Sequence, residues 1–183
     1  MPPALIVALR HGEKDRDADG NELPHQHGLN PIGVARAQRL VTTLRPGALL
    51  PDDAAEPQRF LVPHYDAGDD DVATEGHRPY QTIAPTAAAV GTTPIAPCAR
   101  DQTDRLATVT LATAVATLVV CWEHDALIEW LAALAAATPI AGEQRPEKWK
   151  GKDFDTVWLL ERDDDGAAYT FSIRSQAEFP PGD

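Results

Sequence analysis

Two strand-like runs, each leading into a histidine, constrain the fold of this chain more than any other feature. Residues 5–9 are continuously apolar, and one residue separates them from His11. Residues 117–122 form a second, mainly apolar run, and one residue separates them from His124. Such runs are typical of strands buried on both faces of a parallel sheet. Because parallel strands end at one edge, we expect His11 and His124 to face each other there.

Helix and strand signals alternate along most of the chain. Asn30 is a good N-cap and Pro31 suits a first helical turn, so a helix is predicted to begin there. Its apolar face is predicted to include Ile32, Ala35, Leu40 and Leu44. Further helices are predicted at residues 79–90, 104–116 and 125–137, and further strands at residues 60–62, 94–98, 156–160 and 169–173.

The order of these elements predicts an α/β fold. The last two strands flank Asp165 and Gly166, a pair typical of hairpin turns. Alternating strands and helices favour a three-layer α/β/α sandwich with a mostly parallel central sheet, and the hairpin is expected at its edge. At 183 residues, the chain has the length of one such domain, residues 1–183.

Charge and cysteine content exclude several classes of partner. The chain has 28 acidic and 16 basic residues, a formal net charge of −12. A surface of this sign repels polyanions, so we expect neither nucleic acid nor an anionic membrane as a partner.

Cys98 and Cys121 lack metal-ligand and disulfide spacing and are predicted to be buried free thiols. Without a basic leader or a membrane-spanning run, the sequence predicts a cytoplasmic protein.

The residues around the first histidine suit an anionic ligand. Arg10 offers a planar guanidinium group that matches phosphate oxygens, and Gly12 lets the backbone approach a ligand closely. A single histidine after a strand is often a hydrogen-bonded structural residue. Two histidines at matching strand ends, with Arg10 and Gly12 beside one of them, favour a binding or catalytic site.

An ordered set of segments resembles the histidine phosphatase (phosphoglycerate-mutase-like) superfamily. The segment from Arg10 to Lys14, Arg-His-Gly-Glu-Lys, resembles the family signature that follows the first strand. Residues 29–40 resemble the next helix, and residues 119–124 resemble the late strand that delivers the second histidine. Arg78 opens a segment that resembles the one carrying a second phosphate-binding arginine. The resemblance spans nearly the whole chain.

The resemblance implies a phosphatase that works through a phosphohistidine. His11 would attack phosphorus, and Arg10, Arg78 and a protonated His124 would bind the phosphoryl oxygens. The implied substrate is a small phosphomonoester, and no cofactor or metal ion is expected. Two alternatives share the fold, namely phosphoglycerate-mutase-type phosphotransfer and a non-catalytic module that binds a phosphorylated ligand.

The group that protonates the leaving oxygen is left open by the sequence. The mutase-like branch uses a glutamate between the second arginine and the second histidine, and no glutamate lies between Arg78 and Glu123. His124 and Asp125 resemble the His-Asp pair of the acid phosphatase branch, although Asp125 can equally be the N-cap of its helix. The candidates for the acid are Asp125, Glu13, Asp101 and Asp104.

One loop has the partial pattern of a calcium site. Carboxylates alternate from Asp15 to Gly20, but Gln26 stands where a bidentate glutamate is required. His25 and His27 lie in the same loop without an evident third ligand. We therefore expect a solvated loop at the rim of the pocket and no ion site.

Overall fold

The computed structural model describes residues 1–15, 23, 27–66 and 72–178, which form one mixed sheet with helices on both faces. The strands of this sheet are β1 (Leu5–Arg10), β2 (Arg59–Leu61), β3 (Thr117–Trp122), β4 (Ile140–Gly142), β5 (Thr156–Arg162) and β6 (Tyr169–Ser175). The α-helices in the described residues are α1 (Pro31–Thr43), α2 (Arg78–Ala89), α3 (Thr103–Ala112) and α4 (His124–Ala137). Short 3₁₀ turns occur at Thr74–Gly76 and Gln176–Glu178.

The order of the strands in the sheet is β2-β3-β1-β5-β6-β4. β2, β3 and β1 run parallel to one another, and β4 runs parallel to β6. β5 is antiparallel to both of its neighbours, β1 and β6. The predicted α/β fold class is confirmed. The C-terminal hairpin, β5 and β6, lies one strand in from the edge because the short β4 pairs outside it.

The central strands are buried on both faces, as their continuous apolar runs predict. Every residue of β1 and β3 is buried. Ile6 and Ala8 point into the core beneath α3 and α4, whereas Val7 and Leu9 point into the core beneath α1 and α2. Burying a valine, leucine or isoleucine side chain stabilises the fold by about 1.5 to 3 kcal/mol. The two cores fix β1 in the middle of the sandwich.

Only two of the four apolar positions predicted for the first helix, Leu40 and Leu44, are buried. Ile32 is 63% exposed and Ala35 is exposed, so two of the four predicted core positions face outward. The buried residues of α1 are Gly33, Arg36, Ala37, Leu40 and Thr43. The reason is a buried ion pair: the charge of Arg36 is neutralised inside the protein, which the apolar pattern of the helix does not record.

Gly33 lets α1 pack directly on the chain segment that follows β1. A Cβ atom at Gly33 would lie 2.5 Å from the carbonyl oxygen of Glu13. The side chain of Asn30 caps the helix by accepting a hydrogen bond from the Gly33 amide (2.9 Å), as predicted. The amide of Asn30 also donates to the Glu13 carbonyl (3.0 Å). The start of α1 therefore holds residues 11–14 in place.

Three element boundaries differ from the sequence prediction. Residues 94–98 form only one isolated bridge, from Ile95 to Leu61, because Pro94 and Pro97 cannot donate to a ladder. Helix α3 ends at Ala112 and not near residue 116. Helix α4 begins at His124 with Glu123 as its N-cap, so Asp125 lies in the first turn and is not the cap.

The predicted state of the cysteines is confirmed, because Cys98 and Cys121 are buried free thiols. None of the helices within the described ranges combines the length and apolar character needed to cross a bilayer. Most of the loop with the partial calcium pattern, including His25 and Gln26, lies outside the described residues, as do Asp69, Asp70 and Asp71.

Candidate active site

The two histidines emerge at the same edge of the sheet, where β1 and β3 end. Arg10 pairs with Trp122 at the end of the two strands, and the amide of His11 donates to the Trp122 carbonyl (3.1 Å). This hydrogen bond continues the ladder by one residue. His124, the first residue of α4, follows β3 at the same edge.

The ring of His11 is oriented by two hydrogen bonds. Nδ1 lies 2.7 Å from the carbonyl oxygen of Gly12, and a carbonyl only accepts, so Nδ1 carries a proton. Nε2 lies 3.1 Å from Oε2 of Glu123. His11 is only 1% exposed, and the ring of Phe154 lies 6.4 Å away. Nε2 is therefore the ring nitrogen that faces the other polar groups of the site.

Glu123 is a functional candidate that the sequence analysis did not select. Its Oε2 contacts His11, and its Oε1 accepts a hydrogen bond from the hydroxyl of Tyr65 (3.3 Å). Burial raises the pKa of Glu123, but the hydrogen bond from His11 and the charges of Arg78 and Arg100 outweigh it and hold this pKa well below its ordinary value. Its position in the sequence, directly before His124, could have indicated a place in the site.

Arg10 is buried beneath the site and held by the segment before β5. Its Nη1 donates to the carbonyl oxygens of Gly151 and Asp153, both at 3.1 Å, and its guanidinium group lies 4.0 Å from the ring centroid of Phe154. Arg10 is 1% exposed. Its charge also acts on His124.

Two further arginines approach the site from other elements. Arg78 is the first residue of α2, and its amide donates to the carbonyl of His27 (2.9 Å). Arg100 was not selected from the sequence; its carbonyl accepts a hydrogen bond from the indole of Trp122 (2.9 Å), which attaches it to the end of β3. Both charges act on Glu123.

His124 has one ring nitrogen without a partner. Its Nε2 lies 3.4 Å from Oδ1 of Asp125, whereas its buried Nδ1 has no hydrogen-bond partner within the described part of the chain. Burial, followed by the charge of Arg10, lowers the pKa of His124. These surroundings therefore favour a neutral His124 ring near pH 7, and a bound phosphate dianion would favour its protonated form.

The carboxylates proposed as proton donors lie in different surroundings. Asp125 stays beside His124 with its side chain 85% exposed. Asp101 and Asp104 are exposed, Asp104 in the first turn of α3. The carboxylate of Glu13 is bound by Arg36. Burial raises the pKa of Glu13, but the hydrogen bonds and charge of Arg36 outweigh it, so this pKa is lowered and Glu13 is held ionised.

Arg36 joins three parts of the chain beneath the site. Its Nη2 lies 2.6 Å from Glu13, and its Nη1 donates to Asp155 (2.7 Å) and to the side-chain oxygen of Gln176 (3.1 Å). Glu13 follows β1, Asp155 precedes β5, and Gln176 follows β6. The cluster ties the signature segment to both strands of the hairpin.

Thr82 connects the signature segment to α2. Its fully buried hydroxyl accepts a hydrogen bond from the Gly12 amide (2.8 Å) and donates to the Arg78 carbonyl (2.7 Å). The same side chain therefore fixes the residue after His11 and the residue that opens α2.

Thr82→Val is expected to lower the free energy of unfolding by about 1 to 3 kcal/mol, because the buried Gly12 amide loses its acceptor. Urea denaturation monitored by circular dichroism measures this change. Thr82→Ser keeps the hydroxyl and is expected to lose less. Equal losses in the two variants would contradict this account, because Thr82→Ser keeps the hydroxyl that makes both hydrogen bonds.

A pocket of about 410 Å³ opens beside Tyr65. Its lining includes His64, Glu75 and Tyr80. The ring of Tyr65 stacks on His77 with 3.6 Å between ring centroids. Because the Tyr65 hydroxyl also reaches Glu123, this pocket lies next to the histidine site. No cluster of three or more metal-ligating side chains occurs among the residues described.

Comparisons with known proteins give structural neighbours only. Neither the models of protein families nor the curated protein sequences contain a match to this chain. A phosphoserine phosphatase from Entamoeba histolytica, in complex with 3-phosphoglyceric acid, matches with a TM-score of 0.56 and 11% identity, over 93% of this chain and 96% of that chain. The protein histidine phosphatase SixA, complexed with tungstate, matches with a TM-score of 0.53 and 18% identity, over 96% and 99%.

A third neighbour is the mycobacterial glucosyl-3-phosphoglycerate phosphatase, with a TM-score of 0.50 and 14% identity, over 94% of this chain and 97% of that chain. These neighbours are phosphatases of the histidine phosphatase superfamily. At these identities the likeness establishes the fold, and it agrees with the resemblance carried by the sequence motifs. The chain has the fold of the histidine phosphatase superfamily.

Proposed function

We propose that the protein hydrolyses a small phosphomonoester through a phosphohistidine on His11. The observation that carries this proposal is the geometry of the His11 ring. The Gly12 carbonyl holds the proton on Nδ1, so Nε2 is the nitrogen with nucleophilic capacity. The charges of Arg78 and Arg100 act on Glu123, which contacts Nε2, and His124 presents an unpartnered Nδ1 at the same edge of the sheet; these groups suit an anionic phosphoryl group.

The reaction proceeds in two transfers. In the first, a bond forms between phosphorus and Nε2 of His11 as the bond to the leaving oxygen breaks. In the second, water attacks phosphorus and the bond to nitrogen breaks, which releases phosphate. Negative charge spreads over the phosphoryl oxygens in both transition states, and Arg78 and His124 stabilise it. Arg10 contributes its positive charge from beneath.

The substrate is proposed to be small, with a leaving group that carries little negative charge. Asp66 and Glu75 line the pocket beside Tyr65, and the net charge of the chain is −12. Both features disfavour polyanionic partners such as nucleic acid and docking on anionic membranes. The names of the neighbours refer to a phosphoprotein, to phosphoserine and to a glucosylated phosphoglycerate, so phosphoserine-like and phosphoglycerate esters are the first compounds to test. Two buried free thiols fit a reducing, cytoplasmic compartment.

The test is hydrolysis of p-nitrophenyl phosphate from acid to neutral pH with EDTA present. We expect turnover that the chelator does not affect, because side chains supply the nucleophile and the positive charge. Rapid quenching in alkali with a radiolabelled phosphate ester should trap label on His11, and acid should release it, since phosphoramidates are acid-labile. Turnover that EDTA abolishes would contradict the mechanism. A folded protein that binds phosphate without turnover would favour the binding-module alternative, and net phosphoryl transfer between two positions of one substrate would favour the mutase alternative.

A further inference from the structure

The two hydrogen bonds of His11 require a proton between Nε2 and Glu123. Nδ1 already carries a proton because its partner is the Gly12 carbonyl. A neutral ring would then leave Nε2 as an acceptor, and an ionised carboxylate is also an acceptor. The 3.1 Å contact between Nε2 and Oε2 is a hydrogen bond only when one proton is shared between them. This contact therefore holds one shared proton between Nε2 of His11 and Oε2 of Glu123.

The carboxylate of Glu123 also stands where a substrate must approach. In-line attack requires the Nε2 lone pair to point at phosphorus from about 3 to 3.5 Å. Oε2 of Glu123 lies at 3.1 Å from Nε2, and His11 is 1% exposed. Phosphorus can reach Nε2 only after the carboxylate moves aside and the shared proton leaves the ring.

We propose that Glu123 is the catalytic proton carrier of this phosphatase, an inference that rests on the proposed function. When the phosphoryl group displaces it, Glu123 takes the shared proton from His11. As the N–P bond forms and the P–O bond breaks, Glu123 gives this proton to the leaving oxygen. The resulting carboxylate then takes a proton from the attacking water as the N–P bond breaks. The site regains its shared proton, so atoms and charges balance over one turnover.

The surroundings of Glu123 suit a group that alternates between two protonation states. His11, Tyr65, Arg78 and Arg100 face it, and His124 is its neighbour in sequence. The positive groups favour the carboxylate form of Glu123. A phosphate dianion that enters beside Glu123 neutralises those groups and favours the acid form, which also removes the repulsion between two anions. The Tyr65 hydroxyl can hold Oε1 near the cleft during the exchange.

Other carboxylates near the site are less suited to this role. Glu13 is bound by Arg36, and the side chain of Asp125 is 85% exposed and directed at His124. Within the described residues, the His11 ring is hydrogen-bonded to Gly12 and Glu123 and not to Asp101 or Asp104, which are exposed. Glu123 is the carboxylate hydrogen-bonded to the nucleophilic nitrogen.

The test compares Glu123→Gln on two substrates that differ in leaving group. The glutamine amide can donate to Nε2, so the variant retains the contact but cannot transfer a proton. An alkyl phosphate such as glycerol 2-phosphate needs a protonated leaving oxygen, and we expect its kcat/KM to fall about 10²- to 10⁴-fold. p-Nitrophenolate leaves without a proton, so kcat/KM for p-nitrophenyl phosphate should fall much less. A burst of p-nitrophenolate and trapped phosphoenzyme should appear, because water lacks its base.

The exposed Glu129 on α4 provides a matched control, because Glu129→Gln makes the same change of charge away from the site. Glu123→Asp keeps the carboxylate, and partial recovery of alkyl phosphate hydrolysis is expected. It also serves as the second variant if Glu123→Gln fails to fold, as judged by thermal melting. In that case Glu123→Asp should show an altered pH profile of kcat/KM, and its kcat/KM should fall more for the alkyl phosphate than for p-nitrophenyl phosphate.

Three results would overturn the inference. Equal losses on both substrates would make Glu123 a binding or structural residue. Unchanged or increased activity would show that it only competes with phosphate. Preferential loss on the alkyl substrate in Asp125→Asn, with none in Glu123→Gln, would assign the acid to Asp125. In each case the parent remains active through His11; a parent without turnover or trapped phosphoenzyme would instead overturn the proposed function as well.

Discussion

His11→Ala is expected to lower kcat/KM for p-nitrophenyl phosphate by about 10⁴-fold or more, a loss of the size seen when a catalytic nucleophile is removed. The ring supplies the nitrogen to which phosphorus bonds, and the hydrogen bond from Nδ1 to the Gly12 carbonyl orients it. Steady-state assays and quenched-flow trapping of labelled protein measure the effect.

His11→Asn is the matched variant for this prediction. Its amide nitrogen can donate to the Gly12 carbonyl in place of Nδ1, so the segment after β1 keeps its hydrogen bond. Its remaining amide oxygen does not form a stable phosphoenzyme. We expect His11→Asn to melt near the parent temperature and to be as inactive as His11→Ala. Activity in either variant would exclude His11 as the nucleophile.

Arg36→Met is expected to lower the free energy of unfolding by about 3 kcal/mol, because it leaves the mostly buried carboxylate of Glu13 without its cation. The side chains of Arg36 and Glu13 are 9% and 16% exposed. Asp155, at 46%, can be solvated, so most of the loss comes from Glu13. Urea denaturation near neutral pH measures the change, and loss of activity should accompany it because Glu13 lies two residues from His11.

The double variant Arg36→Met with Glu13→Gln controls for loss of packing. It removes both charges, so it is expected to recover much of the lost stability. A double variant as unstable as the single one would show that the guanidinium group acts through its packing and its bonds to Gln176, and not through its charge on Glu13.

The same ion pair has a defined dependence on pH. The pKa of Glu13 in the folded protein is lowered below its ordinary value of 4.5. Its stabilising contribution is therefore fully present above about pH 4.5 and is lost as the pH falls through the lowered value. The difference in unfolding free energy between the parent and Arg36→Met should shrink over that range. A difference that stays constant into strong acid would contradict this account.

The parts of the fold that depend on local pattern could be predicted from the sequence. β1 and β3 could be identified because strands buried on both faces need apolar residues at every position, and their sequences show such continuous runs. The cap of α1 at Asn30 also has a local signature and was predicted. β4 could not be predicted, because its three residues are too few to show the alternation of apolar and polar residues that identifies a strand.

The parts of the site that depend on distant contacts could not be predicted. Arg36 is buried because it meets Asp155, 119 residues away in the chain. Glu123 was passed over because its partner His11 lies 112 residues away, and Tyr65 lies 58 residues away. The sequence predicted that β1 and β3 are parallel strands that end at one edge, and their pairing brings the two histidines to that edge. The rotamer that aims Glu123 at Nε2 depends on the packed structure alone.

The antiparallel direction of β5 gives the cleft two unlike sides. Because β5 runs against β1, its beginning lies at the edge where β1 ends, and residues 150–155 are anchored there by hydrogen bonds to Arg10 and Arg36. On the opposite side, residues 64–66 and 72–77 follow β2 and carry the pocket beside Tyr65. Selection for a new substrate would thus alter the β2 side most readily, whereas changes on the β5 side would cost folding and turnover together. Substrate specificity can therefore change through residues on the β2 side, while the residues on the β5 side keep the catalytic groups in place.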